Sequence, residues 1–409
     1  MSIKGKIVAA LDIGTTKLVC IIAEISDKNI RVVGYGYRQS VGIFSSAITD
    51  MKLAQLAITK TISDAEKMAG FNISKLAVNV SGFRLDVATK LVSNKISSKI
   101  VNNSDIASLV FDIKSDFKGD KREIIHLIPL EYKIDHVTKV LNPRYMSGDQ
   151  LSAKFYIISA HNSIIKNIEN CMRFSTISVN NYISDAYSAS LGVMSKNELN
   201  FGTLVIDIGG GSTSFAIIVD NKLHHIGNCR LGGMHITRDI ASILNVNLNI
   251  AESIKLLNNS LIVSPIKEKE LVNFKFDNDE EYPNKLIQLT KIELKNIMAA
   301  RLEEIIHMIK SDLEESGYSS YAIHNIILSG GVSNMIGIEK LVSNIFGKNV
   351  TIGNPVGIKN LQKDLNNPSF SVALGMITFL KQVMKKEIRT DFEVKNNFIK
   401  KIIDYLMSV

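Results

Sequence analysis

The chain predicts an α/β protein that uses one plan twice, as two lobes with a cleft between them. Three observations predict it. An apolar strand twice runs into Asp-Ile-Gly and turns back into another apolar strand. The first copy is Asp12-Ile13-Gly14-Thr15-Thr16-Lys17 ahead of residues 18–25, and the second is Asp207-Ile208-Gly209-Gly210-Gly211-Ser212-Thr213 ahead of residues 215–219. In both halves strand, hairpin and helix signals then follow in the same succession, as a duplicated fold requires. Finally, 409 residues exceed the roughly 250–300 at which a single core splits.

Taken in order, residues 4–11, 18–25 and 31–37 read as consecutive antiparallel strands. Residues 50–70 have helical spacing and stop at Gly70, before a strand at 75–80. From Arg84 to about Ser152 the texture turns polar and rich in Asn, Ser and Lys, the mark of an inserted small subdomain. A strand at 154–160 leads into an amphipathic helix from His161 to about Phe174. The second half shows strands at 203–208, 215–220 and 222–226, with a turn at Asn221-Lys222. Helical stretches, a charged insertion at 263–283 and a long helix at 287–316 follow. A short strand at 325–328 then enters Ser329-Gly330-Gly331-Val332-Ser333, where Ser333 is placed to cap a helix.

Apolar residues at 45% and charged residues at 22% are ordinary for a globular protein. A net charge of +8 favours acidic partners. No dense Lys/Arg run carries interleaved aromatics, so nucleic acid is not expected. Three scattered cysteines (Cys20, Cys171, Cys229) read as buried reduced thiols. The N-terminus lacks an apolar signal core, and no apolar run approaches the ~18 residues of a membrane span. A cytosolic protein, or one with a peripheral anchor, is expected.

The hairpins carry the chemistry. A triphosphate needs many short N–H donors, and glycine lets the backbone approach it closely. Hydroxyls of Thr15, Thr16, Ser212 and Thr213 add donors, and Lys17 adds a point charge suited to phosphate. Asp12 and Asp207, facing each other across the cleft, are suited to hold Mg2+ through its waters. Either hairpin alone reads equally as a tight turn; the pair points to a nucleotide. Gly330 and Gly331 would let a flat base and ribose lie against the backbone. Walker-type and dinucleotide fingerprints are absent, as are zinc spacings.

Together these segments resemble the phosphate-1, phosphate-2 and adenosine motifs of the actin/Hsp70/sugar-kinase superfamily. More narrowly, the segment 126–135 with Asn142-Pro143 and Met146-Ser147-Gly148, the run Gly232-Gly233-Met234-His235-Ile236-Thr237, and Ala251-Glu252 with Ile254-Lys255 are similar to the bacterial cell division protein FtsA family. That resemblance implies a duplicated actin-like (RNase H-like) fold. Subdomain 1A would take residues 1–83, 161–195 and 370–384, and 1C residues 84–160. Subdomain 2A would take 196–240 and 308–369, and 2B 241–307. It further implies ATP and Mg2+ in the cleft, with Gly233 among the nucleotide-binding residues, Glu252 and Lys255 toward the ribose, and Gly330, Gly331 and Ser333 toward the adenosine. Self-association into actin-like filaments is implied, as is tethering of the C-terminal tail of FtsZ, with other divisome proteins, to the inner membrane at the septum. Arg301 matches a recurring arginine of the family's 2B helix; its other reading is an i,i+3 pair with Glu304. Two departures concern hydrolysis. Ser214 stands where the superfamily usually has Asp, and Asp185-Ala186 stands where Glu-Pro is common. A weak ATPase at most is expected.

Residues 385–397 read as a charged linker and 398–409 as an amphipathic helix. At about 100° per residue, Phe398, Ile399, Ile402, Ile403, Tyr405 and Leu406 share one arc, with Lys400 and Lys401 on the other. That pattern suits anionic inner-membrane lipid on the cytoplasmic side. Docking on the protein's own core is the alternative.

Overall fold

The computed structural model describes residues 5–27, 29–117, 120–173, 175–195, 197–272, 289–318 and 323–390. The first half opens with a meander of β1 (Lys6–Ile13), β2 (Lys17–Ile25) and β3 (Ile30–Gln39), then a two-residue hairpin of β4 (Ile43–Phe44) and β5 (Ala47–Ile48). Helix α1 (Met51–Ala69) begins where the Asp50 side chain accepts from the Leu53 N–H, and it stops at left-handed Gly70. Strand β6 (Lys75–Val80) returns parallel to β1. An insertion follows: β7 (Leu85–Lys95), α2 (Asn103–Asp116), β8 (Arg122–Ile134), β9 (Val137–Val140) and β10 (Gln150–His161) form their own four-stranded sheet, ordered β7-β10-β8-β9. The chain then resumes with α3 (Asn162–Met172), β11 (Ser178–Ser184) and α4 (Asp185–Val193).

The second half has β12 (Thr203–Ile208), β13 (Thr213–Val219), β14 (Lys222–Cys229), α5 (Gly233–Leu244), α6 (Leu248–Leu257), α7 (Lys291–Glu315), β15 (Asn325–Ser329), α8 (Ile338–Phe346) and β16 (Asn349–Ile352). A final helix, α9 (Ser371–Thr390), crosses back to the first lobe. The two main sheets have the same order, β3-β2-β1-β6-β11 and β14-β13-β12-β15-β16. In each, a central strand has an antiparallel hairpin partner on one side and a parallel strand on the other. The duplication extends to the residue level. Asp12 pairs with Val19 and Asp207 with Ser214, and the turns close through Gly14 N–H to Lys17 O at 3.1 Å and Gly209 N–H to Ser212 O at 3.0 Å.

The apolar runs in these strands have no polar alternation because both faces are buried. Leu11, Cys20, Ile22 and Val78 face a core with α1 and α3, while Ala10, Val19, Ile21 and Ala77 face α4 and α9. In the second lobe Ile206, Phe215 and Ile217 join α5, α6, α7 and α8, whereas Val205, Ala216 and Ile218 meet α4 and α9. The helix pair α4 and α9 is therefore packed between the two sheets and joins the lobes through one core. All three cysteines are buried and unpaired.

Three expectations are corrected. The β13–β14 turn uses Asp220 and Asn221, both left-handed at φ 49° and 61°, and Lys222 already opens β14. Short polar side chains tolerate that conformation better than Lys does. Ser333 caps no helix: it lies in a 3-10 turn at Gly331–Asn334, and α8 starts later, after Gly337. The last helix continues to Thr390, into the segment read as a linker, because Lys385-Lys386-Glu387-Ile388-Arg389 is made of residues compatible with a helix. Residues 391–409, including the terminal amphipathic segment 398–409, and the charged stretch 273–288 lie outside the described residues.

Candidate functional site

The β1–β2 and β12–β13 hairpins point at each other from opposite lobes. A cleft of about 270 Å3 lies between the lobes, lined by Asp12, Gly14, Thr15, Thr16 and Lys17 on one side. Asp207, Gly209, Gly210, Gly211 and Ser212 line the other, and Gly233, Glu252, Lys255, Gly330 and Gly331 continue it. The tips touch. A Cβ added to Gly210 would lie 2.3 Å from Thr16 Cγ2, and one added to Gly211 would lie 2.3 Å from Thr15 Oγ1. A side chain at either glycine would have to displace the facing threonine. The Ser46 N–H donates to Thr15 Oγ1 at 2.8 Å, and the Ile13 N–H donates to Asn79 Oδ1 at 2.7 Å, so both flanks of the first hairpin are pinned. Lys17 donates to Ser369 O at 3.0 Å and to Ser369 Oγ at 3.1 Å, with its ammonium 3.5 Å from the Phe370 ring centroid.

Three carboxylates sit at the base of this cleft. Burial pushes Asp12 up to about 7, with Lys17 pulling it down and Asp185 pushing it further up. Asp207 is pushed up to about 8 by burial and then by Asp185 and Asp12. Burial also raises Asp185 to about 6, against the N–H groups of Gly82 and Ala186 and the neighbouring hydroxyls of Ser81 and Ser214. Lys17 is lowered to about 8, burial outweighing Asp12 and Asp207. Three acids against one ammonium make a site that favours a cation. Among the described residues no three acidic, His or Cys side chains converge to grip one ion directly. The donor set therefore fits Mg2+ held by water and phosphate oxygens beside carboxylates, the arrangement this ion prefers.

Farther along, Lys255 is buried and donates to Glu252 Oε2 at 2.6 Å, Thr237 Oγ1 at 2.8 Å and Gly233 O at 3.1 Å. Thr237 also donates to Glu252. Glu252 and Lys255 thus line the cleft as a bonded pair, tied to the head of α5 through Thr237 and Gly233. Two expected site residues are not brought to the cleft. Thr213 is buried with its hydroxyl on Leu231 O at 2.8 Å, and Ser333 is buried with its hydroxyl on Gly330 O at 2.7 Å. Arg301 lies on α7, forking onto Asp239 at 2.7 and 2.8 Å and also pairing with Glu304. Sequence reasoning missed Ser46, Asn79, Ser81 and Ser369, which also line the cleft, and took Asp185 only as a departure. A usable signal existed: Asn79, Asp185 and Gly330 stand at or just beyond the carboxyl ends of parallel strands, where ligands of α/β sheets gather.

This geometry defines a two-lobed, actin-like α/β protein with a cleft between duplicated sheets. Solved structures share the fold. The PilM–PilN type IV pilus biogenesis complex matches with a TM-score of 0.64 at 16% identity, over 90% of this chain and 97% of that one. MreB5 of Spiroplasma citri, solved bound to ADP, matches with a TM-score of 0.55 at 15% identity, over 94% of this chain and 98% of that one. The model of cell division protein FtsA matches residues 204–375, and that of the SHS2 domain inserted in FtsA matches residues 78–159. Cell division protein FtsA of Agrobacterium fabrum is 28% identical over 92% of this chain and 87% of its own length. The same-named proteins of Borreliella burgdorferi and Escherichia coli are 27% and 26% identical, covering 97% and 92% of this chain and 97% and 91% of their own. The chain belongs to the FtsA family of bacterial cell division proteins.

Proposed function

We propose that this chain binds ATP with Mg2+ in the interlobe cleft, assembles with its own copies into an actin-like filament, and tethers the FtsZ tail to the cytoplasmic face of the inner membrane at the septum. One observation carries the nucleotide part: two matched hairpins, register-equivalent down to Asp12 and Asp207, converge from opposite lobes. Glycines and hydroxyls of both tips would bind phosphate oxygens, and Lys17 would leave Ser369 to meet them. Mg2+, when bound, would neutralise phosphate charge beside Asp12 and Asp207. ATP would favour closure of the lobes about α4 and α9, a population shift that sets subunit geometry. Turnover is secondary in this reading, and the chain acts as an adaptor.

The insertion 84–160 is proposed as the self-association unit and 241–307 as the FtsZ-docking unit. Arg301 would exchange Glu304 or Asp239 for a carboxylate of the tail. Attachment is assigned to the amphipathic pattern of the terminal segment 398–409. Residues 398–409 are only at the lower edge of the ~12–15 residues of stable isolated helicity, so each anchor is weak. Lys400 and Lys401 would add roughly 1 kcal/mol each near anionic lipid. A filament presents many anchors at once and multiplies avidity. Deleting residues 398–409 is therefore expected to abolish pelleting with anionic vesicles while ATP binding stays intact. Undiminished pelleting of the truncated chain would remove the anchor.

A further inference from the structure

The β4–β5 hairpin stands apart from both main sheets, as a two-stranded sheet of its own. Its base is fixed. Gly42 O accepts from the Thr49 N–H at 2.8 Å, from the Asp50 N–H at 3.0 Å and from the Thr49 hydroxyl at 3.2 Å. Gly42 itself is left-handed at φ 75°, and a Cβ there would lie 2.6 Å from Asp50 O. The tip is Ser45-Ser46, two consecutive serines in the left-handed region at φ 44° and 55°. A two-residue turn of that kind favours Asn and Gly, so serines hold it at an energetic cost. The tip reaches the other lobe. Ser46 Oγ lies 3.3 Å from Thr15 Oγ1 of its own lobe and 3.5 Å from Ser212 Oγ of the second. On the same hairpin, the Phe44 ring centroid lies 4.9 Å from the guanidinium carbon of Arg238, on α5 of the second lobe. That separation is within the range of cation–π attraction. Phe44 remains 49% exposed, so burial in a core is not what holds it there.

We propose that this hairpin is a strap clasped to the second lobe by Phe44 and Arg238, and that it gates passage of nucleotide into and out of the cleft; the inference rests on the nucleotide reading above. Thr15, Ser46 and Ser212 bring three hydroxyls together where the two hairpin tips meet, one each from hairpin, strap and opposite hairpin. A phosphate passing between the tips must part them, and the clasp resists that parting. Neither Phe44 nor Arg238 lines the cleft, and their contact is made without nucleotide. The clasp therefore stabilises the strapped form whether the cleft is filled or empty. Such a contact slows entry and exit together and leaves the equilibrium affinity nearly unchanged.

The test is stopped-flow association and dissociation of a fluorescent ATP analogue with Mg2+, on the full chain and on Phe44→Leu, Arg238→Gln and the double variant. Each single variant is expected to raise both rate constants by about fivefold, with Kd moved by less than about twofold. The double variant should be no faster than either single one, because each removes the same contact. Phe44→Tyr, which keeps the ring, should behave as the parent and guards against a folding effect. Unchanged rates in both single variants, or additive gains in the double variant, would overturn the strap while leaving the nucleotide reading intact. So would faster dissociation alone with affinity lost to match, which marks a direct binding contact. Failure of the parent chain to bind the analogue would overturn both.

Discussion

Asp207→Asn is expected to stabilise the nucleotide-free protein at pH 8 and, in the same molecule, to weaken MgATP binding by about tenfold or more. Both effects follow from one half-buried carboxyl at the cleft. The Asp207 carboxyl is pushed up to about 8 by burial, then by Asp185 and Asp12, whereas in the unfolded chain it titrates near ~3.9. The folded state holds this proton more tightly than the unfolded state does. Its contribution to stability is thus complete below the unfolded value and is lost as pH rises through the folded one. Asparagine removes that slope and is expected to gain on the order of 2 kcal/mol at pH 8. The window to use is about pH 6.5 to 8. Below it the buried His126, lowered to about 3, begins to penalise folding as pH falls, and above it Lys17, lowered to about 8, acts in the opposite sense. Denaturant unfolding at both ends of the window measures the first effect and calorimetric titration with MgATP the second. A variant less stable than the parent at pH 8, or one binding MgATP equally well, would count against the carboxylate account.

Gly375→Val is expected to cost about 3 kcal/mol or more of stability, the largest loss foreseen for a single residue here. Helices α4 and α9 cross backbone to backbone between the two sheets. A Cβ at Gly375 would lie 1.7 Å from Ser188 O, and one at Gly192 would lie 2.3 Å from Ser371 O. The obstructing atoms are main-chain carbonyls of the buried Ser188 and Ser371, so no side-chain rotation relieves the clash. Moving α9 away from α4 would pull apart the core shared by both lobes, including Ala10, Ile183, Val205 and Ile327. Urea unfolding should show a reduced midpoint, and ATP affinity should fall because Ser369 and Pro368 at the head of α9 line the cleft. Parent-like stability in Gly375→Val would show that the crossing is looser than its geometry states.

Much of this fold was legible because its signals are local. The strands of both hairpins, the Asp50 and Gly70 ends of α1, and the duplicated Asp-Ile-Gly turns all lie within a few residues of their causes. The cleft was less legible because it is assembled across the chain. Asp185 follows β11 and meets Asp12 and Asp207 only when the strand ends of both lobes converge. Ser369 reaches Lys17 from 352 positions away. Thr213 was misplaced for a reason the sequence contained. Side chains alternate along a strand, so with Ser212 and Ser214 toward the cleft, Thr213 between them must turn to the opposite face and bond Leu231. Ser333 followed a real glycine turn but closed it internally, onto Gly330.

The measurement that bears most directly on the central claim is a crystal structure of the full chain with a non-hydrolysable ATP analogue and Mg2+. One nucleotide per chain is predicted, its phosphates between residues 14–17 and 209–212, the ion within water-mediated reach of Asp12 and Asp207, and Lys17 drawn off Ser369. Density for the analogue at any other place, or a saturated crystal whose hairpins contact no phosphate, would contradict it.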